Sequence, residues 1–327
     1  MLTDLSGPQP FWPVEATRLW QDCLHRAGGV ESLLRTAPPA GDELLREEIG
    51  REFGLDAPLI SVVAGVRAAA LCYGRRHRHI TLERPTFLGV VPMLSAHGAM
   101  LAHASWEEIT AGAGDPSGLL WLTSPCRNPD GATLTPKQHG ALEEMARAGR
   151  RIVVNGTYLW FHSGSPAVRG ADLVVSFHKL AGVGGRLGFV YGERFAEEAV
   201  PELTVSSPPP IWQRSWALFL RGGGLEPLRE VNVSAVGRAA ALFGAAIPEL
   251  AVRGPSVLIP VPAPLSEEEF VRELAEEGFK VLEGRHFAAP WPAIRVNFAA
   301  ASPADAARFA ETLLRRLPPS GWSPPRK

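Results

Sequence analysis

The sequence predicts an α/β protein built on a large, mainly parallel sheet flanked by helices. Between about residues 45 and 200, short apolar runs alternate with longer amphipathic stretches, the order expected when each strand is followed by a crossover helix. The runs Ile60 to Val63, Gly118 to Thr123 and Leu173 to Ser176 are apolar and partly β-branched, as in buried strands. Two of them lead into glycine-bearing turns, Ala64-Gly65-Val66 and Gly182 to Gly188. A length of 327 residues allows one large domain or a large and a small one.

Bulk properties narrow the function. Hydrophobic residues make up 46% and charged residues 20%, as in soluble globular chains. A formal net charge of −1 argues against a polyanionic partner or an anionic membrane surface. Cys23, Cys72 and Cys126 are scattered, which excludes a disulfide framework and any metal-ligand spacing and fits a reducing, cytoplasmic setting. No apolar run has signal or membrane-span length.

Along the chain, residues 1–40 form a proline-rich arm with an amphipathic stretch from Ala16 to Arg26. Glu43 to Phe53 predicts a helix, with Leu44, Leu45, Ile49 and Phe53 on one side. After the strand Ile60 to Val63, Gly65 opens a helix running to about Tyr73. Its first amides would make an anion site, and the same residues also fit a plain strand-to-helix turn. Arg75 to His79 is read as a solvated basic loop before the strand Ile80 to Leu82. It lacks the aromatic interleaving of a nucleic-acid surface. The strand Gly118 to Thr123 leads to a turn-rich Ser124 to Gly131, then a helix from Pro136 to Gly149 and a strand from Arg151 to Val154. Beyond Pro208 to Pro210, helices are expected at Trp212 to Arg221 and Leu228 to Phe243, and a strand at Ser256 to Pro262. A helix follows from Ser266 to Gly278, with Glu267, Glu268 and Glu269 suiting its positive end. A strand around Ile294 to Phe298, a helix from Pro303 to Leu317 and a loose tail after Pro318 complete the chain.

The chemistry is concentrated at Lys179, which follows the buried run ending at Ser176. A lysine at the end of a buried strand loses water, which lowers its pKa toward the neutral amine that Schiff-base formation with an aldehyde requires. Glycines 182, 184, 185 and 188 allow close approach of backbone to a ligand, and Arg186 offers a rigid fork for a phosphate. By composition alone, the same residues also describe a solvated glycine loop.

Ser176-x-x-Lys179, then glycines, then Arg186-x-Gly188 entering a strand, resembles the lysine segment of fold-type I pyridoxal-phosphate enzymes, the class I/II aminotransferase family. The resemblance implies that Lys179 carries pyridoxal 5'-phosphate as a Schiff base and serves as general base. It assigns the phosphate to Ser176, Arg186 and the backbone of Gly65 and Val66. Other segments follow the family's order. Pro85-Thr86-Phe87 resembles a turn whose aromatic ring lies on the cofactor, although Phe87 equally fits an ordinary core. Asn128, in Ser-Pro-Cys-Arg-Asn-Pro-Asp-Gly, stands where the family places a donor to the cofactor's phenolic oxygen, and Tyr158 would share that oxygen. Arg295, in Ile-Arg-Val-Asn-Phe, would pair with the α-carboxylate of an amino-acid substrate. The family's tyrosine that reaches a partner subunit's phosphate is replaced by Thr36, and the lysine-to-arginine spacing is one residue short.

The departure with most chemical content is Asn155, where the family has an aspartate beside the ring nitrogen. A carboxylate favours the protonated ring, whereas an amide can hydrogen-bond the nitrogen without stabilising its proton. The resemblance therefore implies an aminotransferase first, and β-elimination, replacement or cyclisation of an amino acid as the alternative. A non-catalytic descendant of the scaffold is the remaining reading. It also implies a homodimer and a smaller α+β domain. The expected division is an arm at 1–40, a large cofactor domain at 41–205 and a small domain at 206–327. No metal, nucleic acid or membrane partner is expected.

Overall fold

The computed structural model describes all residues except 1, 8, 31–33, 164–166, 200–202, 204–206 and 317–327, so Leu317 and the expected loose tail after Pro318 lie outside the described residues. The described residues form twelve strands and twelve α-helices. The strands are β1 Thr3–Asp4, β2 Ile60–Val63, β3 His79–Glu83, β4 Met100–Ala104, β5 Leu119–Thr123, β6 Ile152–Asn155, β7 Asp172–Ser176, β8 Gly188–Tyr191, β9 Ser256–Pro260, β10 Phe279–Lys280, β11 Leu282–Glu283 and β12 Ala293–Asn297. The helices are α1 Val14–Ala27, α2 Glu43–Phe53, α3 Val66–Arg76, α4 Val91–Ser95, α5 Trp106–Thr110, α6 Pro136–Arg147, α7 His178–Ala181, α8 Phe195–Glu198, α9 Pro210–Arg221, α10 Leu225–Ala246, α11 Glu267–Glu276 and α12 Pro303–Arg316.

A seven-stranded sheet runs β2-β8-β7-β6-β5-β3-β4. β3 through β7 pair in parallel, while β8 is antiparallel to both of its neighbours, β2 and β7. The fully apolar runs occupy the middle of this sheet because both faces are covered. One face meets Leu45, Ile49, Trp160, Trp216 and Phe219, and the other meets Ala69, Ala70, Tyr73 and Phe195. The smaller unit is an antiparallel sheet, β11-β12-β9, packed with α10, α11 and α12 around Phe243, Phe270 and Phe309. α9 and the start of α10 belong to the core beneath the large sheet, through Trp216, Phe219, Leu225 and Leu228.

The N-terminal arm joins the two units. β1 pairs in parallel with β10, the carbonyl of Leu5 accepts from the Asn297 amide at 2.8 Å, and Asn232 of α10 holds both backbone groups of Phe11. Trp12 then donates its indole N–H to the Ala181 carbonyl at 3.0 Å.

Three elements differ from the sequence reading. β4 has no visible signal because it is short, His103 interrupts its apolar run and most of it is exposed at the sheet edge. Arg75 and Arg76 are not loop residues. They form the last turn of α3, where cations suit the negative helix end. Lys179 does not cap its strand: Phe177 intervenes and α7 makes a single turn.

The carboxyl ends of β2, β5, β6 and β7 lie on one side of the large sheet, the usual place for a ligand in such folds. Gly188 is pinched there. A Cβ on it would meet the Val175 carbonyl at 2.5 Å and Gly65 Cα at 3.0 Å. Gly188→Ala is therefore expected to destabilise the protein by about 1–3 kcal/mol, the usual cost of overpacking. It would appear as a lower denaturant midpoint at unchanged m-value, and an unchanged midpoint would contradict the close approach of β8 to the Gly65 turn.

Candidate active site

The cleft at that sheet end is walled by Gly65, Val66, Arg67, Phe87, Thr123, Asn128, Asn155, Thr157, Tyr158, Ser176, His178, Lys179 and Arg186. The structure thus gathers nine of the ten singled-out residues in one place. Arg295 is the exception: it is buried behind Tyr158.

The lysine turn is fixed by Phe177, whose fully buried ring packs 5.3 Å from that of Trp160 and 5.5 Å from that of Trp216. The amides of Leu180 and Ala181 close on the Phe177 carbonyl, and Gly182, at φ +95°, ends the turn. Lys179 reaches Tyr158, with Nζ 4.8 Å from the ring centroid and a hydrogen bond between the two side chains. Burial pushes the amine's pKa down and the Tyr158 oxygen pulls it up. The charges of Arg295 and Arg67 push it down again, and the net result lies below the ordinary lysine value.

Tyr158 is almost fully buried. Burial alone would raise its pKa, but the charges of Lys179 and Arg295 and their hydrogen bonds outweigh that and hold it below the usual phenol range. Arg295, from the middle of β12, donates to the Ser6 carbonyl at 2.8 Å, Ser256 Oγ at 3.1 Å and Tyr158 Oη at 3.2 Å. Its Nε is buried with no partner, and among the described residues no carboxylate acts on its charge. A buried guanidinium satisfied only by neutral acceptors or a phenol is poised to receive an anion.

At the other end of the cleft, Gly65 adopts φ +112° and caps α3, so that the first amides of the helix face the opening. A Cβ at Gly65 would stand 3.4 Å from Ser176 Oγ, so the turn and the hydroxyl are neighbours. Ser176 Oγ lies 2.6 Å from His178 Nδ1. Arg186, at φ +40°, is exposed on the rim, and Arg67 lies 5.8 Å from the Phe87 ring centroid. Gly89 makes room for that ring, since a Cβ there would fall 2.3 Å from Phe87 Cζ. Asn128 Oδ1 is buried without a hydrogen bond. Asn155 Oδ1 accepts from the Thr157 amide at 3.2 Å and from its hydroxyl at 2.5 Å.

Arg67, Thr123 and Thr157 went unnoticed in the sequence. Arg67 carried a usable signal: a cation in the first turn of a helix opposes the macrodipole unless an anion sits between them. Thr123 and Thr157 carried none, because their roles depend on neighbours from other strands. His178 is pushed to about 3 by burial, then by the charges of Lys179 and Arg67, so it is neutral near pH 7. An unfolded histidine binds its proton near pH 6.5, so between about pH 6.5 and 3 the unfolded chain holds the extra proton and stability falls with acid. His178→Gln should flatten the decline in denaturant midpoint between pH 7 and pH 4.5. An equal decline in both proteins would show that His178 is protonated in the folded state.

No family model and no curated protein matches the chain by sequence. Solved structures match it by shape. A Thermus thermophilus aspartate aminotransferase double mutant superposes with a TM-score of 0.82 at 21% identity, covering 97% of this chain and 92% of that one. LysN, an α-aminoadipate aminotransferase from Thermus thermophilus, complexed with N-(5'-phosphopyridoxyl)-L-leucine, gives 0.80 at 18% identity over 95% and 92%. The Pyrococcus horikoshii kynurenine aminotransferase gives 0.77 at 16% identity over 97% and 91%. The chain has the α/β fold of these enzymes, that of fold-type I aminotransferases, over nearly its whole length.

Proposed function

We propose that the protein is a pyridoxal-phosphate-dependent enzyme acting on an amino acid, in the first place an aminotransferase. The observation that carries this reading is Lys179: an amine with a depressed pKa, held against Tyr158 at the carboxyl end of a parallel sheet, in a cleft that also contains an anion cradle. The residues fit the cofactor. The cleft wall includes Arg67, Lys179 and Arg186 but no Asp or Glu, and the buried Asn128 amide has an unmet hydrogen-bonding atom. With the Asn128 amide turned over, that position becomes a donor suited to a phenolic oxygen.

On this reading, the amides of Val66 and Arg67, Ser176 Oγ and Arg186 hold the phosphate, and the Phe87 ring lies against the cofactor. Bound there, pyridoxal phosphate would supply an aldehyde to capture an amine and a conjugated ring to accept electron density from the substrate's α-carbon. Lys179 Nζ, as a neutral amine, would take the proton from that carbon. Tyr158 keeps the amine oriented. Arg295 fixes the substrate carboxylate, which replaces the neutral Ser6 carbonyl as acceptor and so pairs the guanidinium with an opposite charge. A homodimer belongs to the same reading, and the exposed Val183 and Arg186 at the cleft rim support a face that a second copy would cover. A lyase or cyclase is the second reading, favoured by the amide at position 155.

Incubated with pyridoxal phosphate, the protein should gain a visible absorption band that borohydride removes, leaving the cofactor's mass on the peptide containing Lys179. Lys179→Ala should lose both signals. A protein that takes up no cofactor would overturn the enzyme reading. Arg295→Gln should raise KM for the amino acid about 10–100-fold, matching roughly 1.5–3 kcal/mol for a hydrogen bond to a charged group. An unchanged KM would take Arg295 out of substrate binding.

A further inference from the structure

Asn155 ends β6 and is 5% exposed, with that exposure on the cleft. Which end of its amide faces the cleft is decided by Thr157. The backbone N–H of Thr157 can only donate, so the atom it meets at 3.2 Å must be the amide oxygen. The Thr157 hydroxyl donates to the same oxygen at 2.5 Å. Rotating the amide would set two N–H groups against each other and leave a buried oxygen without a donor, at a cost of about 1–3 kcal/mol. The oxygen is therefore occupied and the NH2 group is directed to the cleft, where no side chain or backbone oxygen of the described residues accepts from it.

We infer that Asn155 donates its amide N–H to the ring nitrogen of the bound cofactor and holds that nitrogen as an unprotonated pyridine. The inference rests on the cofactor reading above and adds to it the charge state of the ring. An N–H donor needs a lone pair opposite it, and a pyridinium nitrogen has none. The cations on the wall, Arg67 and Arg186, also disfavour a further positive charge, and the wall contains no carboxylate to offset one. Thr157 is a positioning residue: it acts through Asn155 and sets which of two chemically opposite atoms the cofactor meets. The neutral ring draws less electron density from the substrate's α-carbon, so more of the work of removing the proton falls on Lys179.

The test is nitrogen-15 NMR of the protein loaded with pyridoxal phosphate labelled at the ring nitrogen, at pH 7.5 and without substrate. The expected signal is at the position of an unprotonated pyridine. Asn155→Asp, which exchanges the donor for a carboxylate, should move it to the pyridinium position. A pyridinium signal in the unmodified protein would overturn the inference while leaving the cofactor reading in place. So would an unprotonated signal that Asn155→Asp does not move. Failure of the protein to take up the labelled cofactor, read from its absorption spectrum, would overturn both.

Discussion

Lys179 and Arg295 share the hydroxyl oxygen of Tyr158 in a region from which water is largely excluded. Two cations so close repel each other strongly at low dielectric, and the oxygen between them relieves that repulsion by taking on negative character. Burial brings the lysine nearer to a neutral base although the tyrosine oxygen opposes it, the tyrosine becomes a better acceptor, and the arginine keeps bonds that an incoming anion can replace. The arrangement needs three separate parts of the chain, α7, the segment after β6, and β12, to arrive together.

The sheet delivers two of them by register. Asn155 lies opposite Thr123 and Val174, while Ser176 lies opposite Gly188, so each strand ends at nearly the same level. Residues just beyond those ends then converge without needing long loops. Tyr158 follows Asn155 by three positions, and Lys179 follows Ser176 by three. The aromatic cluster under the turn, Phe53, Trp160, Phe177 and Trp216, gives the lysine a stiff foundation. Trp160 extends this by donating its indole N–H to the Ser176 carbonyl at 3.1 Å, which links the two loops directly.

Much of this was legible in the sequence because it is local. Uninterrupted apolar runs marked β2, β5 and β7, and the glycines at 65 and 182 marked turns that need positive φ. Order along the chain then brought Lys179, Asn128, Tyr158 and Arg186 together. What could not be read depends on contacts between distant segments. The burial of Arg295 behind Tyr158 requires knowing that Ser6 crosses over β12. β4 draws its stability from pairing with β3, not from its own composition. Thr157 looks like an ordinary turn residue until its two donors are seen on one oxygen.

The arm has a mechanical consequence. Within ten residues it is fastened to β10 at Thr3, to the small sheet at Leu5, to α10 at Phe11 and to the lysine turn at Trp12. Trp12 lies six positions after Ser6, and a fully extended chain of six residue steps spans roughly 20 Å. The arm therefore acts as a tether of fixed maximum length between the arginine and the carbonyl of Ala181. Any swing of the small sheet away from the large one is limited by its slack, and once that slack is spent the pull falls on the turn that carries the reactive amine.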